Sequence, residues 1–434
     1  MGLRIVLASD FYGVLLGGAE RQAQLLAREL VARGHQVTLA TVRQASDPPT
    51  EQDGGISVVR FDGLSTRTSR FSSDPNRRLH PPFPDPAVVH GLRRLLASWT
   101  PDLVHAQGWV AYSCAAAVTG TSVPLLLSVR DYGYACAIRT LLRHEADGRR
   151  EICDGPALAK CLACASRAYG VPKAGVAVSA VLATRPLLHR VVAGVHAIST
   201  YVEQTVRRDI LHGQPPEHEV LTRVIPDIIQ PSRLAEERDD SPPGRMLAGL
   251  PDGPFILFVG ALQPHKGVNV LLDAYGRLTS PPPLILMGTI WSDSPSTFPK
   301  GVTVLPNVPH GDVMHAWDRC SFGVAPALWP EPLGNVIMEA MSRGRAVVAS
   351  AVGGPVDSVL DGVTGLLVPP GDAEALAKAM QRLVLDAGLR DRLGEAGRIR
   401  AERFRADVLV PQFEALYAEL VRRHPGRRSG ARHP

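Results

Sequence analysis

Two glutamates eight residues apart carry the most chemical information in this chain. Trp329-Pro330-Glu331-Pro332-Leu333-Gly334-Asn335 leads into an apolar stretch that holds Glu339 and closes at Arg343-Gly344. Pro332 suits a first helical position and Gly344 a helix stop, so Glu331 is expected at the mouth of a helix with Glu339 along it. Eight helical residues span about 12 Å, too far for the carboxylate pair of a glycosidase, which needs about 5–10 Å. The span does suit two contacts to one elongated ligand, such as a sugar and a ribose joined by a diphosphate. The main-chain N–H groups of Gly334 and Asn335, at the positive helix end, would face the anionic middle.

A diphosphate also needs a cation. Lys266 stands in Val259-Gly260-Ala261-Leu262-Gln263-Pro264-His265-Lys266-Gly267 and is the sole lysine between Lys173 and Lys300. Gly17-Gly18-Ala19-Glu20 supplies glycines that let a backbone approach phosphates, and Val352-Gly353-Gly354-Pro355 reads as another turn before a helix. Each piece has a plainer reading, because a Glu before a proline is a common helix-entry residue and Gly-Gly is a common turn. His265 is a further phosphate-contact candidate beside Lys266, whereas His105 and His196 read first as core histidines.

These residues must be positioned by regular elements. Arg4-Ile5-Val6-Leu7-Ala8 reads as a buried parallel strand, Glu20–Leu30 as an amphipathic helix stopped by Gly34, and Gln36–Ala40 as the next strand. The alternation continues through Leu103–His105, Leu125–Val129 and Val195–Ile198. It resumes after a polar, proline-rich linker at 231–254 with strands at Phe255–Val259, Leu284–Met287, Val302–Leu305, Phe322–Ala325 and Ala346–Ala349. This pattern predicts two Rossmann-like, doubly wound parallel-sheet α/β domains facing a cleft. Their expected bounds are 1–230 for an acceptor domain and 255–405 for a donor domain, with a helix at 406–425 packing back. Residues 62–86, polar with five prolines, read as an insertion or flap.

Composition narrows the class. The chain has 434 residues, 45% apolar and 21% charged, which excludes a disordered or collagen-like polymer. Net charge is +5, concentrated in residues 1–200 with 22 Lys/Arg against 15 Asp/Glu. That basic half suits an anionic substrate or a phospholipid surface. No basic run with interleaved aromatics points to nucleic acid. No G-x-G-x-x-G follows the first strand, which disfavours a nicotinamide oxidoreductase. With no export signal and no membrane span read from the sequence, a cytoplasmic protein is expected, its cysteines reduced or metal-bound.

Taken together, Glu331 to Glu339 in E-x7-E spacing, the Lys266 loop, and Gly362-Val363-Thr364-Gly365-Leu366-Leu367-Val368-Pro369-Pro370-Gly371-Asp372 resemble the retaining glycosyltransferases of family 4, which have the GT-B fold. The resemblance implies that Glu331 touches the donor sugar and Glu339 the ribose hydroxyls. It also implies that Lys266 neutralises the leaving diphosphate, and that Gly18, Leu333, Gly334 and Asn335 line the donor site. Two departures stand out. Ala261 occupies a position where many relatives carry an Arg, with Arg345 one substitute to consider. Ser128-Val129-Arg130-Asp131-Tyr132 replaces a usual His-containing segment, which makes Arg130 and Asp131 catalytic candidates or a local ion pair. A branch of the family resembling this chain carries cysteines downstream, here Cys136, Cys153, Cys161 and Cys164. The Cys161-x2-Cys164 spacing suits a chelating turn in a structural zinc site, with packed free thiols the alternative. Cys114 and Cys320 read as core residues.

The implied activity is transfer of a hexose-type sugar, with retention, from a nucleoside-diphosphate sugar to a hydroxyl-bearing acceptor: a polysaccharide or lipid-linked intermediate, or a small natural product. The chemistry would need no metal or other cofactor. The alternative is a degenerate nucleotide-sugar-binding homologue. Neither nucleic acid nor a protein nucleophile is expected to take part, and contact with a membrane would be peripheral at its inner face.

Overall fold

Runs of β-branched and leucine residues too short and too apolar for exposed helices build the two sheets of this computed structural model. It describes residues 2–13, 18–44, 47–64, 80–145, 150–213, 219–229 and 249–425. The expected linker at 231–254 and flap at 62–86 fall largely outside the described residues.

The first sheet has eight strands: β1 (Arg4–Ala8), β2 (Gln36–Val42), β3 (Thr50–Asp53), β4 (Ile56–Phe61), β5 (Leu103–Gln107), β6 (Leu125–Val129), then β9 (Val192–Ala197) and β10 (Leu221–Val224). Their spatial order is β10-β9-β6-β5-β1-β2-β4-β3, parallel throughout except for β3. The β3–β4 hairpin turns at Gly54-Gly55, both with positive φ (55° and 87°), the conformation a tight antiparallel turn demands. Between β6 and β9 the chain makes an excursion. It contains the short antiparallel pair β7 (Leu142–His144) and β8 (Arg150–Ile152), then helices Leu158–Tyr169 and Val171–Val191.

The second sheet is β11 (Ile256–Val259), β12 (Leu284–Met287), β13 (Val302–Leu305), β14 (Phe322–Ala325), β15 (Val347–Ser350) and β16 (Leu366–Val368). Its order, β13-β12-β11-β14-β15-β16, is parallel throughout. This is the doubly wound 3-2-1-4-5-6 arrangement, in which the direction of winding reverses between the first and fourth strands. Leu257, Ile285, Leu286, Phe322, Val348 and Met380 are among the fully buried side chains of this unit.

The chain divides into two compact units, Met1–Pro226 with Leu409–Pro434, and Asp227–Val408. Most of the final helix, Ala406–Arg423, thus belongs to the first unit. Its buried face places Phe413 4.8 Å from the His196 ring and directs the Tyr417 hydroxyl to His105 Nδ1 at 2.8 Å. Gly194 on β9 leaves room for Leu420, whose Cδ2 a Cβ there would approach to 2.9 Å. Both histidines are core residues, as the sequence favoured. His196 is bonded to Ser128 Oγ and the Ile225 carbonyl, each at 2.7 Å, and burial pushes its pKa down to about 3. His105 is likewise held neutral by burial. The charge-free stretch from His105 to Val129 is a strand end, the Val110–Val118 helix and β6. The helix Val171–Val191 is long and apolar enough to cross a membrane by length and composition. Ala174, Val178, Val181 and Leu188 give it a buried face, while Val171 and Val176 are exposed.

Tyr417→Phe removes the hydrogen bond to His105 Nδ1, and among the described residues His105 Nε2 has no partner. Leaving a buried ring without bonds costs about 1–3 kcal/mol, so urea unfolding should show a loss of that size with the fold unchanged. Stability equal to wild type would mean the bond contributes nothing to holding the final helix.

Candidate functional site

Loops leaving adjacent strands β11 and β14 meet where the second sheet reverses its winding, the place ligands of such sheets occupy. After β11 the chain makes one 3-10 turn, Pro264–Lys266, and reverses at Gly267 with φ 79° before the Val268–Gly276 helix. Gly267 is required there. A Cβ would stand 1.8 Å from the Pro326 carbonyl oxygen in the loop after β14. Leu328 N–H donates to the His265 carbonyl at 2.9 Å and stitches the loops together.

That closeness brings Lys266 and Glu331 into contact. Lys266 Nζ lies 2.9 and 2.7 Å from the two carboxylate oxygens, and Trp329 Nε1–H donates to Oε2 at 2.8 Å. The ammonium also sits 4.8 Å from the centre of the Trp329 ring, within cation–π range. His265 packs edge-on against the same ring at 5.4 Å. Lys266 and Glu331 side chains remain 25% and 20% exposed, so the pair is partly desolvated yet reachable. The turn at Gly353-Gly354, singled out in the sequence, holds the main chain of Glu331. Residues 331 and 353 pair in a parallel bridge, and Gly354 N–H donates to the Glu331 carbonyl at 2.7 Å. Gly353, at φ 72°, would place a Cβ 2.4 Å from that same oxygen.

The expected helix start needs correction. The helix runs Asn335–Ser342, and Pro332 precedes it because Gly334 turns left-handed at φ 82° as its N-cap. Glu331 is therefore on an extended segment, and the 12 Å helical estimate does not apply to it. The stop at Gly344 holds: its N–H reaches the Met341 carbonyl, with φ 66°. Glu339 Oε1 faces His310 Nε2 at 3.0 Å, a partner not foreseen from sequence. Asn335 Nδ2–H is taken by Asp227 Oδ2 at 3.0 Å, and the Leu333 side chain is only 2% exposed. Leu333 is thus left with main-chain groups to offer a ligand, while Asn335 is oriented by Asp227. Arg345 lies beyond the far end of this helix and donates to the Asp318 carbonyl, so it does not replace the arginine absent at Ala261.

In the first unit, Gly18 opens the Gly18–Ala32 helix, downstream of β1. Asp10 lies fully buried beyond the carboxyl end of β1 and receives the N–H groups of Val110 at 2.7 Å and Trp109 at 3.0 Å, past β5. It thereby holds the start of the Val110–Val118 helix. Asp131 does not pair with Arg130. It is bound by Arg139 through Nε at 3.1 Å and through NH2, and by Gly133 N–H at 2.7 Å. Arg139 adopts φ 64° and stacks 5.2 Å from the Trp109 ring. Burial is the main cause that lowers the pKa of His105 and His196, and the nearby Arg130 charge adds to it.

Cys136, Cys153, Cys161 and Cys164 line one small pocket in the excursion between β6 and β9. Their side chains as placed do not make a ready ligand set: among the described residues, no three His, Cys, Asp or Glu groups are disposed to hold a metal ion. Cys114 and Cys320 are buried core residues, as expected.

The architecture and this arrangement define a GT-B chain. Residues 17–222 match the glycosyl transferase 4-like domain and residues 248–400 match glycosyl transferases group 1. With one match in each unit, the chain is similar along both units to GT-B glycosyltransferases of this family-4-like kind. It is 34% identical over 195 residues to a D-inositol 3-phosphate glycosyltransferase of Xylanimonas cellulosilytica, covering 41% of this chain and 46% of that one. The chain spans less than half the length of the first curated relatives it matches. Sucrose-phosphate synthase from Thermosynechococcus elongatus has the same fold, with TM-score 0.71, 22% identity, and 97% and 100% of the two chains covered. So does Anabaena HepE in complex with UDP-glucose, with TM-score 0.63, 17% identity, and 96% and 100% covered.

Burial pushes the Asp10 pKa up to about 6 against the two amide bonds that lower it. A carboxyl with a folded pKa above its unfolded value stabilises the fold below that unfolded value, and the contribution is lost as pH rises through 6. The stability of wild type relative to Asp10→Asn should therefore fall by about 1.4 kcal/mol per pH unit between roughly pH 4 and 6. A difference that stays flat across that window, in denaturant titrations, would contradict the buried, proton-binding Asp10.

Proposed function

We propose that this chain transfers a sugar from a nucleoside-diphosphate sugar to a hydroxyl-bearing acceptor, with retention at the anomeric carbon. One observation carries the reading. A lysine and a glutamate from adjacent strand ends meet at the strand-order reversal of the second sheet, beside the left-handed Gly334 that opens a helix. The UDP-glucose held by HepE supports a nucleotide sugar as donor.

The costly event in such a transfer is departure of the diphosphate from an oxocarbenium-like sugar. Stabilising charge that develops on the leaving group is where preorganised cations and amides act most strongly. Lys266 supplies the cation, and the Gly334 and Asn335 N–H groups at the helix start supply the amides. The diphosphate competes with the Glu331 carboxylate for Lys266 and frees that carboxylate for the hydroxyls of the donor sugar. Glu339, now bonded to His310, accepts from the ribose hydroxyls. In a front-face transfer the leaving phosphate oxygen takes the acceptor proton, so protein charges and dipoles suffice and neither a metal nor a protein nucleophile takes part.

The acceptor is assigned by chemistry alone as a hydroxyl of a polysaccharide or lipid-linked intermediate, or of a small natural product. Exposed Leu158, Tyr169, Val171 and Val176 beside Lys160, Arg167 and Lys173 support a peripheral contact of the first unit with an anionic membrane surface. The competing reading, a nucleotide-sugar-binding homologue without transfer activity, is favoured by Ala261 in the cationic loop. Incubation with UDP-, GDP-, ADP- and TDP-sugars and crude acceptor extracts separates the two, since only the transferase releases nucleoside diphosphate dependent on acceptor.

Lys266→Ala should lower kcat about 10²–10³-fold with an unchanged circular dichroism spectrum; near wild-type turnover would remove Lys266 from the mechanism. Glu339→Ala should weaken nucleotide binding about tenfold or more, the value of a hydrogen bond to a charged acceptor. Unchanged affinity by calorimetry would contradict the ribose assignment.

A further inference from the structure

The excursion between β6 and β9 has a small hydrophobic core of its own. Where Leu158–Tyr169 and Val171–Val191 meet the loop after β6, the buried cluster is Ala137, Ala165, Ala174 and Val178, with Ile138, Leu162, Ala177 and Leu182 partly buried against it. The β7–β8 pair has three residues per strand, and β8 is exposed along its whole length. A layer this thin lies below what apolar burial holds in place, and small units in that position use a cross-link or a structural metal.

Four cysteines sit where such a link would act. Cys136 is in the loop after β6, Cys153 follows β8, and Cys161 and Cys164 are three apart on the Leu158–Tyr169 helix. All four line one pocket and none is in a disulfide. Main-chain N–H groups reach two of the sulfurs. Ala157 N–H points to Cys161 Sγ and His144 N–H to Cys164 Sγ, each at 3.4 Å. A neutral thiol is a weak acceptor, so the amides at Cys161 and Cys164 suit thiolates, while Cys153 Sγ, 3.4 Å from the Gly155 carbonyl, is placed as a thiol donor until a cation binds.

We propose that Cys136, Cys153, Cys161 and Cys164 bind one zinc ion as a structural four-thiolate site. Thiolate softness and a tetrahedral set of four favour zinc over harder divalent ions. Since the side chains are not yet disposed as a ligand set, binding turns the sulfurs inward about their Cα–Cβ bonds. Each thiol gives its proton to solvent, and no sulfur is oxidised. The ion ties the β7–β8 pair and the Leu158–Tyr169 helix to the loop after β6. That loop also carries Asp131 and Arg139 on either side of Cys136. The proposal stands on the thiols alone and does not depend on glycosyl transfer.

The test is elemental analysis of the full chain purified without chelator, with cobalt added to chelator-stripped, reduced protein. The expected results are roughly one zinc per chain, a tetrahedral cobalt–thiolate absorption band, and a lowered melting temperature after stripping. Cys161→Ser/Cys164→Ser should lose at least about tenfold in zinc affinity, whereas Cys114→Ala/Cys320→Ala should keep full zinc. Wild-type protein that neither carries zinc nor takes up cobalt overturns the proposal. So does a disulfide among the four cysteines in non-reducing mass spectrometry. The cobalt readout uses wild-type protein, so a variant that fails to fold does not spare the proposal.

Discussion

A lysine ammonium clasped by a glutamate carboxylate, at the point where a parallel sheet reverses its winding, is the interaction on which this structure turns. It exists because two loops that leave neighbouring strands come unusually close. Gly267 permits the approach to Pro326, and the Leu328–His265 bond fixes it. Trp329 then covers one side of the cation and donates to the same carboxylate. With side chains 25% and 20% exposed, the pair is held largely out of water yet stays within reach of a ligand. Its value is positional: a cation and an acceptor group are held ready at a strand-end crevice, with the start of a helix alongside.

The first unit handles its own strand-end crevice differently. There Asp10 already occupies the main-chain amides of Trp109 and Val110. A carboxylate of the protein thus stands where the second unit offers positive groups. Beside it, Asp131, Arg139 and Trp109 form a tight cluster in which the arginine is bonded and stacked at once. The buried pair His105 and His196, neutral and tied to Tyr417 and Ser128, joins the final helix to this unit without placing a charge in its core.

Much of this was legible in residue order. Five apolar runs in the second half became strands β11 to β15, and the Lys266 loop and the Gly353-Gly354 turn fell beside Glu331. β16 was read only as a motif segment, because Leu366–Val368 is three residues long and carries no alternation. The helix entry was misplaced by three residues, since proline at a first position and a left-handed glycine two residues later give competing signals and the glycine prevailed. Partners distant in sequence were invisible: His310 lies 29 residues from Glu339, and the amides that Asp10 caps lie about a hundred residues away. Arg139 was missed because its pairing with Asp131 depends on a positive φ that no periodicity announces.

The central claim is that the Lys266–Glu331 crevice receives the diphosphate of a sugar nucleotide. A crystal structure of the protein soaked with the nucleoside diphosphate of its preferred donor tests it most directly. The account predicts phosphate oxygens within hydrogen-bonding distance of Lys266 Nζ and of the Gly334 or Asn335 amide, with the ribose at Glu339. A nucleotide bound elsewhere, with Lys266 still clasped to Glu331, would contradict it.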